Sequence, residues 1–181
     1  VTRLFLARQM IARRLGFSAL NQLFTGQYAS ARAQDDYESG KHYLLIPFIK
    51  TICPLVTAYQ RDESRKVIDI LRADSPAYST VGPNASRRLR EMVVRSKEQL
   101  QTLSEIWNRG AIKEVFLYCR DNDLLNIPDR LRDLLDREPR PEEFDEALYG
   151  EDKGDWLADS FLAMPTMELQ AYCDFMLEHT A

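Results

Sequence analysis

The stretch from Asn84 to Arg109, NASRRLREMVVRSKEQLQTLSEIWNR, contains neither Gly nor Pro. Leu89, Met92, Val93, Leu100, Leu103, Ile106 and Trp107 recur along it at helical spacing, and Ser96 fills the remaining turn of that stripe. Pro83 and Asn84 offer a stop and a cap before it, and Gly110 ends it. About 25 residues rising 1.5 Å each make a rod of roughly 37 Å, enough to span a small domain. A chain with such a rod is expected to pack shorter helices along its apolar stripe. The opposite face is uneven: Arg87, Arg88, Arg90, Arg95 and Lys97 crowd the first half against Glu91, and the second half is nearly neutral.

The rest of the chain supports an all-α reading. A length of 181 residues suits one domain with a proper core, and 45% apolar content suits an ordered one. The expectation is a single helical domain, an irregular bundle of about eight to ten helices around the long central one. Sustained strand alternation, fixed-period repeats and low-complexity tracts are absent from the sequence.

In chain order, Leu4, Leu6, Met10, Ile11, Leu15 and Phe17 can line a first helix, although Val1 to Leu6 also fits a short strand. A second helix is expected near Ser18 to Phe24, with Ser18 as its cap. Ala29 to Asp36 allows a helical turn. Lys41 to Gln60 reads as a buried helix, which Pro47 must start and Pro54 must kink near Cys53. Asp62 to Ala73 turns Val67, Ile68 and Leu71 inward. Ala111 to Arg120 buries Val115, Phe116 and Cys119. Pro128 starts Asp129 to Arg137, which buries Leu131, Leu134 and Leu135. Glu138 to Asp155 is acidic and broken by Pro and Gly, either a loop or a short helix around Glu142 to Leu148, and is expected to be the most mobile internal stretch. Trp156 to Met164 and Pro165 to His179 close the chain, the last helix with a stripe of Leu169, Tyr172, Cys173 and Met176. The abrupt start without an initiator Met suggests a fragment or processed product.

Charge is distributed more tellingly than the net value of −4 implies. Residues 1–34 hold Arg3, Arg8, Arg13, Arg14 and Arg32 and no acid, whereas Asp133 to Asp159 is densely acidic. Cys53, Cys119 and Cys173 stand far apart in apolar helical patterns, which points to reduced core thiols and an intracellular, cytoplasmic setting. No run is long enough to span a membrane.

Catalytic chemistry is sparse. Gly40-Lys41 lacks the flanking residues of a phosphate-binding loop, and no dinucleotide-binding glycine pattern occurs. His42 and His179 have no ligand-type neighbour at metal spacing. Asp121, Asp123 and Asn126 fail the spacing of a calcium loop. No catalytic, cofactor or metal residue is assigned. What stands out is VGPNASRR, Val81 to Arg88, a loop entering a helix with two Arg in its first turn. Cations there oppose the helix dipole, a cost that a bound phosphate would offset. The candidate DNA-binding set is therefore Ser86, Arg87, Arg88, Arg90, Arg95 and Lys97, with Arg13 and Arg14 of the basic N-terminal segment as a second group.

Met10-Ile11-Ala12-Arg13-Arg14-Leu15-Gly16-Phe17 resembles a stretch of UvrD/Rep-like superfamily I DNA helicases, where it leads from a RecA-like domain into a long helical insertion. Leu125-Asn126-Ile127-Pro128-Asp129-Arg130-Leu131 is similar to a later element of that insertion. Trp156, Phe161 to Pro165 and Glu168 to Phe175 are similar to its final segment. Ala7-Arg8 depart from the family, standing where it has Glu-His. The resemblance covers most of the chain and implies a helical accessory (2B-like) subdomain of an ATP-dependent helicase of DNA repair. Residues 1–16 would form the edge of the neighbouring RecA-like domain. It also implies duplex or forked DNA and the parent's own motor domains as partners. ATP and magnesium would belong to those motor domains, so this chain alone is expected to hold no cofactor and no activity. The alternative is a helical adapter that binds a protein partner.

Overall fold

A computed structural model describes residues 2–78, 85–136 and 153–180, with side chains placed at 7–78, 90–136 and 154–178. Its described part is all-α: α1 (Thr2–Leu15), α2 (Ser18–Thr25), α3 (Ala31–Ser39), α4 (Cys53–Gln60), α5 (Ser64–Asp74), α6 (Ala85–Arg109), α7 (Ile112–Asp121), α8 (Asp129–Asp136), α9 (Lys153–Ala163) and α10 (Met167–Thr180). Among the described residues no strand forms. One isolated antiparallel bridge joins Ala111 to Pro165. The acidic stretch contributes Lys153, Gly154 and Asp155 to the start of α9. Its remainder, with the mobility expected of it, lies outside the described residues.

The start of the chain is helical from Thr2, so the strand alternative for Val1 to Leu6 is not adopted. The inward face of α1 is also not the expected one. Ala12 is fully buried and Ile11 packs on the core, whereas Met10 is 72% and Leu15 48% exposed. Gly16, at φ +94°, turns the chain sharply, so that Phe17 rather than Leu15 enters the core. Ser18 does not cap α2. It is the first helical residue, and the side chain that meets the helix end belongs to another helix: the Ala19 amide donates to Glu168 Oε1 of α10 at 2.8 Å. That carboxylate satisfies an otherwise orphaned donor and sits at the positive end of the α2 dipole.

The helix expected over Lys41 to Gln60 begins later. Gly40 closes α3 in the left-handed conformation, φ +73°, with its amide and that of Lys41 returning to carbonyls of Asp36 and Tyr37. A side chain at Gly40 would also meet Met176 Cε at 2.9 Å. His42 then takes the Leu44 amide on Nδ1 at 3.2 Å, holding a turn. After Pro47 the chain winds as a π-helix over Phe48–Ile52 before tightening into α4. The Cys53 amide reaches Phe48 O. Pro54 has no amide to bond the carbonyl four residues back, and the helix is widened over the turn just before it. The kink expected near Cys53 therefore takes the form of a widened turn.

The interior is organised by aromatic rings. Tyr37 of α3 is stacked between Tyr172 of α10 (centroids 5.0 Å) and Phe24 of α2 (5.1 Å). Phe24 meets Phe161 of α9 edge-on at 5.7 Å, and Phe161 meets Phe48 of the π turn at 6.2 Å. Phe48 reaches Phe116 of α7 at 4.7 Å and Trp107 of α6 at 6.0 Å. Polar atoms along this column are paired: Tyr37 Oη donates to Asn21 Oδ1 at 3.0 Å, and Tyr172 Oη to the Tyr37 carbonyl at 2.6 Å. The stripe of α6 joins through Leu100, Leu103 and Trp107, all buried, with buried Ser96 where the sequence places it. The end of α6 is fastened to the α9–α10 junction: Thr166 Oγ1 donates to the Trp107 carbonyl, and the Ile112 amide to Met164 O at 2.9 Å.

Candidate nucleic-acid interface

Residues 81–84 and the side chains of Ser86, Arg87 and Arg88 lie outside the described residues, so the phosphate cradle expected at the start of α6 does too. Helical backbone runs from Ala85 onward. The described cations of this set, Arg90, Arg95 and Lys97, are all exposed. None forms an ion pair with another described residue.

They do not share one face. At about 100° per residue, Arg90 and Lys97 fall within roughly 20° of each other, while Arg95 is turned away from Arg90 by about 140°. The surroundings agree. Lys97 lines a groove of about 370 Å³ against the α4–α5 turn, with Asp62, Glu63 and Ser64 opposite. Arg95 instead approaches Tyr78 on the other flank. Burial raises the Tyr78 hydroxyl above the usual tyrosine range, and the Arg95 charge opposes that rise. Tyr78 Oη donates to Gln99 Oε1 beneath it. Between the two flanks, exposed Glu91, Glu98 and Glu105 recur every seven residues and form an acidic ridge along the outermost line of the helix. The described cations of the first half of α6 thus stand on two separated flanks.

Arg13 and Arg14 are exposed on the last turn of α1, where cations suit the helix dipole. Arg13 borders a shallow polar cleft between α1 and α2 with Gln9, Ser18 and Gln22. Arg8, which adds to the basic count of this segment, is neutralised by Glu38 at 3.3 Å. The helix α1 packs against α2 and α10, whereas α6 packs against α4 and α7. The two basic groups therefore belong to different parts of the bundle.

A third collection of cations was not anticipated. Arg32 of α3, Lys41 after α3 and Arg130 of α8 line one polar cavity of about 780 Å³, with Asp36 as the acid among its lining residues. They are distant in sequence, and only the fold brings them together. The one local signal was Arg32 at the second position of a helix with no acid in its first turn.

His42 lines the same cavity. His42 is buried edge-on to Phe24, and burial lowers its pKa to about 4, so it is neutral at pH 7. Cys53, Cys119 and Cys173 are free and buried. Burial pushes the Cys119 thiol up to about 12. The His179 side chain lies outside the described residues. Among the described residues, no group of three or more His, Cys, Asp or Glu is placed to hold a metal ion, and no helix is long and apolar enough to cross a membrane. Comparison with family models, with curated proteins and with solved structures found no match.

Proposed function

We propose that this chain is a helical accessory domain of a UvrD/Rep-like ATP-dependent DNA helicase, one that contacts duplex DNA and modulates unwinding without a catalytic site of its own. The family part of the reading rests on the three sequence patches. They fall at the α1–α2 corner, at the entry to α8 and along α9 and α10. The observation that carries the DNA contact is the row of Arg90 and Lys97, exposed, without ion pairs to described residues, and on one flank of α6. Seven residues separate them by about 10.5 Å along the axis, which is the axial rise of about three phosphates of one strand. Arg95 stands across the acidic ridge and would meet a different strand segment, or none. Contacts of this kind position a duplex without reading its bases.

The test is fluorescence anisotropy of a labelled blunt duplex with the 181-residue chain over a salt series. Binding should be weak, independent of sequence and steeply salt-dependent, with a log–log slope of about −0.9 per neutralised phosphate. Arg90→Ala with Lys97→Ala should weaken it and flatten the slope by up to about 2. Arg87→Ala with Arg88→Ala should do the same if the start of α6 joins the contact. Isotherms unchanged by both double variants at every salt concentration would remove the DNA reading and bring the protein-adapter alternative forward. Exposed Met10 on α1 and Met167 at the start of α10 are the residues that favour an adapter.

A further inference from the structure

The cavity edged by Arg32, Lys41 and Arg130 has the chemistry of an anion site. All three side chains are exposed, and none is ion-paired to another described residue. Arg130 is held in place by the Tyr43 ring, whose centroid lies 4.6 Å from its guanidinium carbon. Tyr43 in turn stacks on buried His42 at 4.9 Å, so the cation rests on a fixed aromatic pair. Arg32 stands in the first turn of α3 and opposes the dipole there, a cost that an anion in the cavity would offset. Among the described lining residues, Asp36 supplies one negative charge against the three positive ones.

Two further facts select the kind of anion. Enclosed small-molecule sites bury roughly 70–90% of their ligand. Here every lining cation is exposed, an arrangement suited to a chain of charges passing across the opening. The wall also carries Tyr28, leaning on Trp156 with centroids 4.7 Å apart. A basic groove bordered by aromatic rings is how single strands are held without sequence preference, through phosphates and base stacking.

We propose that this cavity binds single-stranded nucleic acid, with Arg32, Lys41 and Arg130 on successive phosphates and the Tyr28 wall against a base. The proposal extends the duplex reading by naming a second, separate contact, since Arg90, Arg95 and Lys97 do not line this cavity. It fails or survives on its own.

The experiment measures anisotropy of a labelled oligothymidylate of about 15 nucleotides, a length within reach of one such site. A blunt duplex is run in parallel, and both are titrated with the 181-residue chain across a salt series. The triple variant Arg32→Ala, Lys41→Ala, Arg130→Ala should bind the single strand at least about tenfold more weakly, with a salt slope flatter by about 2. The duplex isotherm should be unchanged. Arg90→Ala with Lys97→Ala should give the reverse pattern. If the triple variant melts lower than the wild type, Lys41→Ala alone carries the test, with a slope loss of about 0.7. Arg32→Lys with Arg130→Lys should retain most of the affinity. The proposal is overturned if wild type ignores the single strand at low salt, or if the cavity variants bind it as wild type does. It is also overturned if the α6 variant loses single-strand binding equally. Displacement of the strand by equimolar inorganic pyrophosphate would identify a free-anion site instead. Failure of the single-strand arm with an intact duplex arm leaves the helicase reading standing.

Discussion

His42 shows how one residue's burial becomes a property of the whole fold. Its ring lies against Phe24 and Tyr43, and Nδ1 is occupied by the Leu44 amide. Burial is the main cause of its lowered pKa, the Arg130 charge adds to it, and Asp36 opposes it. The folded value near 4 lies below the ordinary 6.5. The unfolded chain therefore binds the proton first as pH falls. Stability from this group is complete above about pH 6.5 and is lost progressively toward pH 4. Proton NMR of the imidazole should find a midpoint near 4, and urea melts should show wild type losing more stability than His42→Gln between pH 7 and pH 5. A midpoint near 6.5 would contradict the burial. The sequence places His42 at the start of a buried helical stretch but does not show the ring packing that lowers its pKa. The same holds for Glu168, whose carboxylate caps a helix 149 positions away. Local capping rules search a few neighbouring residues and cannot find such a partner.

At the scale of elements, α6 is the best test of what periodicity can deliver. The burial of Ser96, Leu100, Leu103 and Trp107 follows the stripe, because spacing alone decides which side chains share a face. Trp107 is 5% exposed, touches Phe48, and its carbonyl takes the Thr166 hydroxyl. Trp107→Ala should therefore cost on the order of 3–5 kcal/mol, read from the denaturant midpoint at constant slope. A loss under about 1 kcal/mol would mean that the site collapses without a cavity. Charge was less legible than apolarity on the same helix. Counting cations in the first half ignores their angle, and the rotation between Arg90 and Arg95 sets the described cations on two flanks with a glutamate ridge between them. The π turn at Phe48–Ile52 was foreseen only as a fault near Pro54. Sequence states where a hydrogen bond must be missing, and the fold selects how the chain absorbs the loss. In α1, Met10 and Leu15 satisfied helical spacing yet face outward, since the turn at Gly16 determines which apolar residue reaches the core.

Across the whole molecule, the aromatic column sets how the bundle responds to stress. Tyr172, Tyr37, Phe24, Phe161, Phe48 and Trp107 link α10, α3, α2, α9, the π turn and α6 through successive ring contacts. No gap in that series separates a first half of the chain from a second. Sequence order gives no hint of this, because the links join residues far apart along the chain. Phe161 is the central link, fully buried and in contact with both Phe24 and Phe48. The chain should accordingly unfold as one cooperative unit. In a Trp156→Phe background, fluorescence reports Trp107 at the α6 end, while far-ultraviolet dichroism reports every helix. The two transitions should coincide in urea, and Phe161→Ala should shift both midpoints together by an amount corresponding to about 3–5 kcal/mol. If fluorescence moves while dichroism retains a separate later transition, the column does not couple the two ends. In that case α6 with its neighbours would melt as a unit of its own, and a duplex held on its flank would be read by that unit alone.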